Sequence, residues 1–196
     1  MILRSNVQHS DDMLLVRYLA GDARAFELLM EAHERRVFAI CLRTLRDREE
    51  ALDATQETFI TVLRKADSFQ GRAAFSTWLY RVAINTCYDM LRKKGRQRAA
   101  PLPEGYDPRD TSANGKLEAA ELRPAIEKAL ARLPREFGTA VILSDIEGLP
   151  LRQVADILEV PLGTVKSRVF RGRKMLAAQL GNLFDPRDHP KGDGHE

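Results

Sequence analysis

Five cations with no acid among them fall within nine residues, at Lys166, Arg168, Arg171, Arg173 and Lys174. A second set, Arg92, Lys93, Lys94, Arg96 and Arg98, fills seven residues in the same way. At that density Lys and Arg suit the phosphates of a polyanion, and Arg can also reach guanine edges. Thr164, Ser167 and Phe170 are interleaved with the first set. A hydroxyl can reach a phosphate or a base, and Phe can pack on a thymine methyl. A different mixture lies between Phe69 and Tyr80, where four aromatics surround a loop carrying Gly71, with Arg72 and Arg81 nearby. Ring faces for stacking, polar groups for base edges and cations for the backbone are what a protein holding unstacked bases needs. The plainer reading of the cations is two solvated helix ends, and that of Phe69, Phe75 and Trp78 is ordinary core. Trp78 is expected in the core on either view.

Other chemistries are poorly supported. The histidines are His9, His33, His189 and His195, and no HExxH, phosphate-binding loop or GxGxxG accompanies them. His33, on an apolar stripe, reads as a satisfied core residue. Cys41 and Cys87 lack CxxC spacing and read as small buried apolar residues, with redox sensing as the alternative. No catalytic residue, metal site, cofactor or small-molecule substrate is therefore expected. The longest apolar run, Val37 to Leu42, is six residues, against the roughly 20 of a membrane helix. Without a secretory segment at its start, the chain is expected to be cytoplasmic, with no direct membrane insertion.

These groups must be held by helices, because the apolar spacing is helical almost throughout. Phe26, Leu29, Met30, His33, Val37, Ile40 and Cys41 form one stripe, and Leu52, Thr55, Phe59, Val62, Leu63 and Ala66 a second. Ser76 can cap a third helix, which carries Trp78, Leu79, Val82, Ala83, Thr86 and Leu91 into the cationic run. Residues 99–116 are rich in Pro, Gly and Asp and read as a linker. Helical pattern resumes at Leu117, Pro134 suits the first turn of another helix, and Gly148 stops it. Leu151 to Leu158 then reads as a short helix, Glu159 to Pro161 as a tight turn, and Leu162 to Leu180 as a longer helix. Val154, Ala155 and Leu158 on one side and Val165 and Val169 on the other make this pair a helix-turn-helix, with Ala155 small enough for close approach. The expected fold is all-α, with two small helical domains at 10–98 and 117–181, a flexible linker at 99–116 and a disordered tail at 182–196. Net charge follows this division: +4 over residues 1–98, −2 over 99–118, +3 over 119–181 and −2 beyond. Two basic blocks separated by an acidic connector suggest two contact points for a polyanion.

Three blocks, in order and spacing, resemble the extracytoplasmic-function (ECF) group of bacterial sigma factors. They are Asp53-Ala-Thr-Gln-Glu-Thr-Phe59, the run from Phe75 to Thr86, and Gly163-Thr-Val-Lys-Ser-Arg168. The resemblance spans about residues 10–180. It implies that Asp53, Gln56 and Glu57 are exposed contacts to the clamp of core RNA polymerase, with Phe59 buried beneath them. It implies that Ser68, Phe69, Gln70, Gly71, Arg72 and Phe75, with Asn85, read the −10 element of promoter DNA and hold a flipped base. The helix-turn-helix would read the −35 element with Lys166, Ser167, Phe170 and Arg171 at the group's contact positions, and the chemistry of the helix adds Thr164, Arg168, Arg173 and Lys174. Within that set Arg171 is assigned to bases, and Arg173 and Lys174 to phosphates. The linker would thread toward the polymerase cleft, and an anti-sigma factor would be the negative regulator.

Some positions depart from the group's pattern. Leu149-Pro150 stands where a Ser often caps the first helix of the motif, and Arg152-Gln153 replaces an acidic pair. Glu159 occupies a turn where Gly is usual, implying strain or another geometry. Gly172 in the recognition helix costs about 1 kcal/mol relative to Ala, and Gln70 replaces a residue that is often basic. The competing readings are a free-standing helix-turn-helix regulator and a purely helical adaptor. The first should bind duplex DNA tightly on its own; the second should depend on neither DNA nor polymerase.

Overall fold

The computed structural model describes residues 2–69, 71, 73–98 and 119–180, with side chains over 11–69, 71, 73–96 and 125–180. Every regular element among them is helical. The first group comprises α1 (Ile2–Leu19), α2 (Ala23–Leu45), α3 (Arg48–Lys65) and α4 (Phe75–Arg98), with a single 3-10 turn at Ala66–Ser68. The second comprises α5 (Ala119–Ala131), α6 (Arg135–Val141), α7 (Leu151–Leu158) and α8 (Leu162–Leu180). A turn of π-helix, Ile142–Ile146, extends α6. The expected linker, 99–116, and tail, 182–196, lie outside the described residues.

Local chemistry sets most of the boundaries. Asp47 caps α3, its Oδ1 accepting the Glu50 N–H at 2.9 Å. Glu49 and Glu50 in the first turn and Arg64 and Lys65 in the last complement the helix dipole. Ser76 is not a cap: α4 starts at Phe75, and the Ala74 carbonyl accepts from Thr77 and Trp78, so Ser76 lies inside the first turn. Pro134 stands just before α6, where its missing N–H is harmless. Gly148, at φ +64, ends the π turn, a conformation that suits a residue without Cβ. The apolar spacing singles out no helix before Phe26, yet α1 forms and packs along α2 and α4. Its inward residues include the carboxyl of Asp11, 3% exposed, beside Leu15.

One core runs through both groups. In the first, Leu29, Val37, Ile40, Phe59, Val62, Phe75, Leu79 and Ile84 are buried; in the second, Leu143, Leu149, Val154, Ile157, Val165 and Val169 join the same cluster. A smaller cluster of Leu130, Leu133 and Val141, flanked by Ile126, Met175 and Leu176, ties α5 to α6 and α8. The two groups are thus packed face to face, with α7 against α4.

Gly172 corrects the sequence expectation. It is buried, and a Cβ there would lie 2.6 Å from Val141 Cγ2 and 3.3 Å from the Phe137 carbonyl oxygen. The residue that costs helix propensity is the one that lets α8 approach α6. Glu159 sits at φ 54, ψ 42, the left-handed cap that Gly would fill at no steric cost. The turn geometry is therefore the ordinary one, held by a residue that strains it.

Candidate nucleic-acid interface

Three surfaces carry the residues singled out by their chemistry. On α3 the sides are sharply divided. Ala51, Ala54, Thr55, Thr58, Phe59 and Val62 are buried, and the two threonine hydroxyls are satisfied by donating to the Ala51 and Ala54 carbonyls at 2.7 and 2.6 Å. Asp53, Gln56 and Glu57 project to solvent from the opposite side. Leu52, Ile60 and Leu63 flank them, each 40–43% exposed. Carboxylates and an amide set among exposed apolar groups form a surface suited to docking against a protein.

The loop from Ser68 to Phe75 is built over a buried polar cluster. His33 Nε2 pairs with Asp11 Oδ2 at 2.8 Å, and its Nδ1 lies 3.3 Å from the Tyr80 hydroxyl. A proton on Nε2 satisfies both partners, with Tyr80 donating to Nδ1. Burial raises the Tyr80 pKa above its ordinary value, so the phenol keeps that proton. The His33 ring packs 5.8 Å from Phe75, which in turn meets Phe69 at 6.1 Å and Trp78 at 6.0 Å. Phe75 is only 1% exposed: its ring is the floor of the loop, fixed by packing beneath it. Phe69 is half-buried, 5.2 Å from Trp78, while Ser68 and Gly71 are exposed. Ser68 Oγ donates to the Lys65 carbonyl at 2.7 Å. Gly71, at φ +64, has open space where a Cβ would be. Gln70 and Arg72 lie outside the described residues. Asn85 is exposed on α4, one turn beyond Arg81.

On α8 the inward side is Val165, Val169 and Gly172. At 100° per residue, Lys166, Phe170, Lys174, Ser167 and Arg171 span a contiguous outward arc of about 140°, and all five are exposed. Phe170, at 70%, is the most exposed large hydrophobic side chain among the described residues. Thr164 is half-buried in the first turn, and its N–H donates to the Pro161 carbonyl at 2.9 Å. Two of the cations already have partners. Arg173 forks onto Asp145 through bonds of 2.8 and 2.7 Å, holding that carboxyl below the usual carboxylate range. Arg168, half-buried, approaches Glu136 at 4.0 Å. In the other cationic run Arg92 pairs with Asp89, and Lys94 with Glu50 at 2.5 Å. Lys93 and Arg96 are exposed.

Cys41 and Cys87 are fully buried in the core. The hydrogen bond with Cys41, together with burial, raises the Cys87 pKa and keeps that thiol neutral. No cluster of His, Cys, Asp and Glu among the described residues could hold a metal.

Sequence reasoning missed the contacts between the groups. Arg36 and Arg43 on α2 meet Glu147, Arg81 on α4 meets Glu159 at 2.9 Å, and Gln153 on α7 donates to Thr77 at 3.1 Å. The Tyr88 hydroxyl donates to Thr139 at 2.9 Å. Polar residues that pair across more than fifty positions leave no periodic signal.

Two family descriptions match the chain: Sigma-70 region 2 over residues 29–97, and Sigma-70, region 4 over residues 123–176. The ECF RNA polymerase sigma factor SigM of Mycobacterium tuberculosis is 39% identical over 90% of this chain and 87% of its own. The ECF RNA polymerase sigma-E factor of Haemophilus influenzae is 36% identical over 90% of this chain and 98% of its own. Among solved structures, the sigma factor RpoE of Bartonella quintana, in complex with the anti-sigma factor NepR, covers 83% of this chain and 100% of its own at TM-score 0.69 and 25% identity. CnrH, in complex with the cytosolic domain of CnrY, shares the fold at TM-score 0.66 and 24% identity, over 87% of this chain and 97% of its own. Matched at both ends, in order, and similar to such relatives over nine-tenths of its length, the chain belongs to the ECF group of RNA polymerase sigma factors.

Proposed function

We propose that this transcription initiation factor divides its work among the three surfaces just described. Asp53, Gln56 and Glu57 on α3 contact the clamp of core RNA polymerase. The loop from Ser68 to Phe75, with Asn85, reads and melts the −10 element; Phe75 contributes by shaping the loop, not by touching a base. The outward arc of α8 reads the −35 element, with Arg171 on bases and Lys174 on phosphate. Residues 10–98 and 117–181 act as the two binding units, and 99–116 threads toward the polymerase cleft between them. The site of action is the cytoplasm, where the polymerase is, and the chain has no catalytic step of its own. No described helix is long and apolar enough to cross a membrane. An anti-sigma factor is the expected negative regulator, as NepR is a partner of the Bartonella quintana relative.

The observation that carries this reading is the exposure of Asp53, Gln56 and Glu57 directly across α3 from a buried side. A free-standing regulator has no use for such a surface, and that reading leaves the match to region 2 without a purpose. The test is titration of core polymerase with the parent chain and with a double variant, Asp53→Ala with Glu57→Ala. The variant should retain its helicity and lose about tenfold or more in affinity, equivalent to about 1.4 kcal/mol. Equal affinity would remove the docking assignment.

A further inference from the structure

Three buried polar side chains meet beneath the −10 loop, each from a different helix. Asp11 of α1 and Tyr80 of α4 lie 22 and 47 positions from His33 of α2. For stability alone, apolar residues of similar volume would serve as well as a buried charged cluster. What a fully satisfied polar network adds is a single fixed arrangement. Here the bonds run one way. The Tyr80 hydroxyl donates to His33 Nδ1 at 3.3 Å, and Nε2–H donates to Asp11 Oδ2 at 2.8 Å. The carboxylate at the end can only accept, so it sets which ring nitrogen carries the proton. It also sets the orientation of the ring. An imidazole turns about a broad, two-fold torsion, and the flipped ring would place carbons against both partners.

The ring so fixed is the foot of an aromatic stack. His33 lies 5.8 Å from Phe75, centroid to centroid, and Phe75 meets Phe69 and Trp78 nearly edge-on at 6.1 and 6.0 Å. Edge-to-face pairs are directional, so a tilt of the His33 ring passes to Phe75 and from there to Phe69. Phe69 is the half-buried ring of the loop itself, beside exposed Ser68. The bonds thus lead from α1, at the far side of the bundle, to the loop.

We infer that Asp11, His33 and Tyr80 are positioning residues for capture of the −10 base. They touch no DNA; they set the Phe75 floor and, through it, the shape of the Ser68–Phe75 loop. This inference rests on the −10 assignment made above, and its test separates the two.

Trp78 is the one tryptophan of the chain and packs on both Phe69 and Phe75, so its emission reports the floor directly. The full chain is compared as parent, Asp11→Ala, Asp11→Asn and Tyr80→Phe. Asp11→Ala removes the end acceptor, whereas Asp11→Asn keeps an oxygen that accepts from Nε2–H. Each is bound to core polymerase and titrated with two probes, a duplex carrying the −35 element and a single-stranded −10 oligonucleotide. Both probes are selected from random pools by the parent with core. Asp11→Ala and Tyr80→Phe should shift the Trp78 emission and weaken −10 binding by about tenfold, with −35 binding unchanged. Asp11→Asn should recover most of both. Should Asp11→Ala fail to fold by circular dichroism, Tyr80→Phe, which loses one hydroxyl, is expected to show the same shift and loss. Unchanged emission and −10 affinity in a folded variant would overturn the positioning role. A shifted emission with unchanged affinity would overturn its bearing on DNA, and equal losses on both probes would reduce the cluster to a source of stability. If the parent with core selects no −10 oligonucleotide, the −10 assignment fails, while the emission still decides whether the cluster holds the floor.

Discussion

The two surfaces assigned to promoter DNA differ in how they are held. The −35 surface on α8 is a ready-made arc, with Lys166, Ser167, Phe170, Arg171 and Lys174 all exposed. The −10 surface is a loop over a layered floor of Phe75, Trp78 and the Asp11–His33–Tyr80 cluster, and its far end is overlain by α7. The first is exposed but rests on short helices joined by strained or close-packed points. The second is deeply supported but partly covered. Reading a duplex groove needs only a rigid projecting helix. Capturing an unstacked base needs a firm platform of aromatic and polar groups.

This contrast predicts where the molecule will break. The largest effect should come from Gly172→Ala, which puts a methyl 2.6 Å from Val141 Cγ2 in the α6–α8 contact. Overpacking of this kind costs about 1–3 kcal/mol, more than the helix propensity gained. Thermal denaturation should show the loss, and −35 binding should weaken with it, while docking through α3 remains. A stabilised variant would mean that α6 and α8 have room to separate.

Next in size is Glu159→Gly, in the opposite direction. A left-handed conformation costs a residue with a Cβ roughly 1–2 kcal/mol, and Glu159 holds one at φ 54. Relief should exceed the loss of the Arg81–Glu159 pair, whose side chains are 35% and 63% exposed and which, like other surface pairs, contributes about 0–1 kcal/mol. Chemical denaturation should show a net gain. The same variant loosens the seam over α4 and so probes coverage of the −10 face.

The smallest effect concerns Asp145 and Arg173. Their forked bond holds the Asp145 carboxyl below its ordinary range, so folding favours the ionised form. The contribution is complete above the unfolded value of ~3.9 and disappears as pH falls through the lower folded value. The stability difference between parent and Asp145→Asn should be flat near neutral pH and vanish in strong acid. Releasing Arg173 should also steepen the salt dependence of −35 binding by about 0.9 in log–log slope if the freed guanidinium reaches a phosphate. An unchanged slope would take Arg173 off the phosphate backbone.

Much of this architecture could be read from residue spacing. The bounds of α7 and α8 fall where the apolar pattern and Pro161 place them, because a short amphipathic helix, a turn and a second stripe are all local signals. The division of α3 into buried Phe59 and exposed Asp53, Gln56 and Glu57 follows from the same 3.6-residue period. What could not be read depends on distant partners. Gly172 looks like a defect until α6 is set against it. Glu147 looks like a solvated loop acid until α2 brings two arginines to it, 104 and 111 positions away. Phe75 looks available in a loop rich in aromatics, and only the packing of His33, Phe69 and Trp78 around it shows that it is the floor.

The central claim is that the chain opens promoters only in partnership with core polymerase. In vitro transcription over a promoter library, with permanganate probing of the −10 thymines, tests it most directly. The parent chain with core should select promoters sharing −35 and −10 elements and make their −10 thymines reactive. The chain alone should give neither transcript nor reactivity, and Asn85→Ala with core should lose reactivity while −35 binding persists. Tight, specific duplex binding without core, and no transcript with it, would contradict the account.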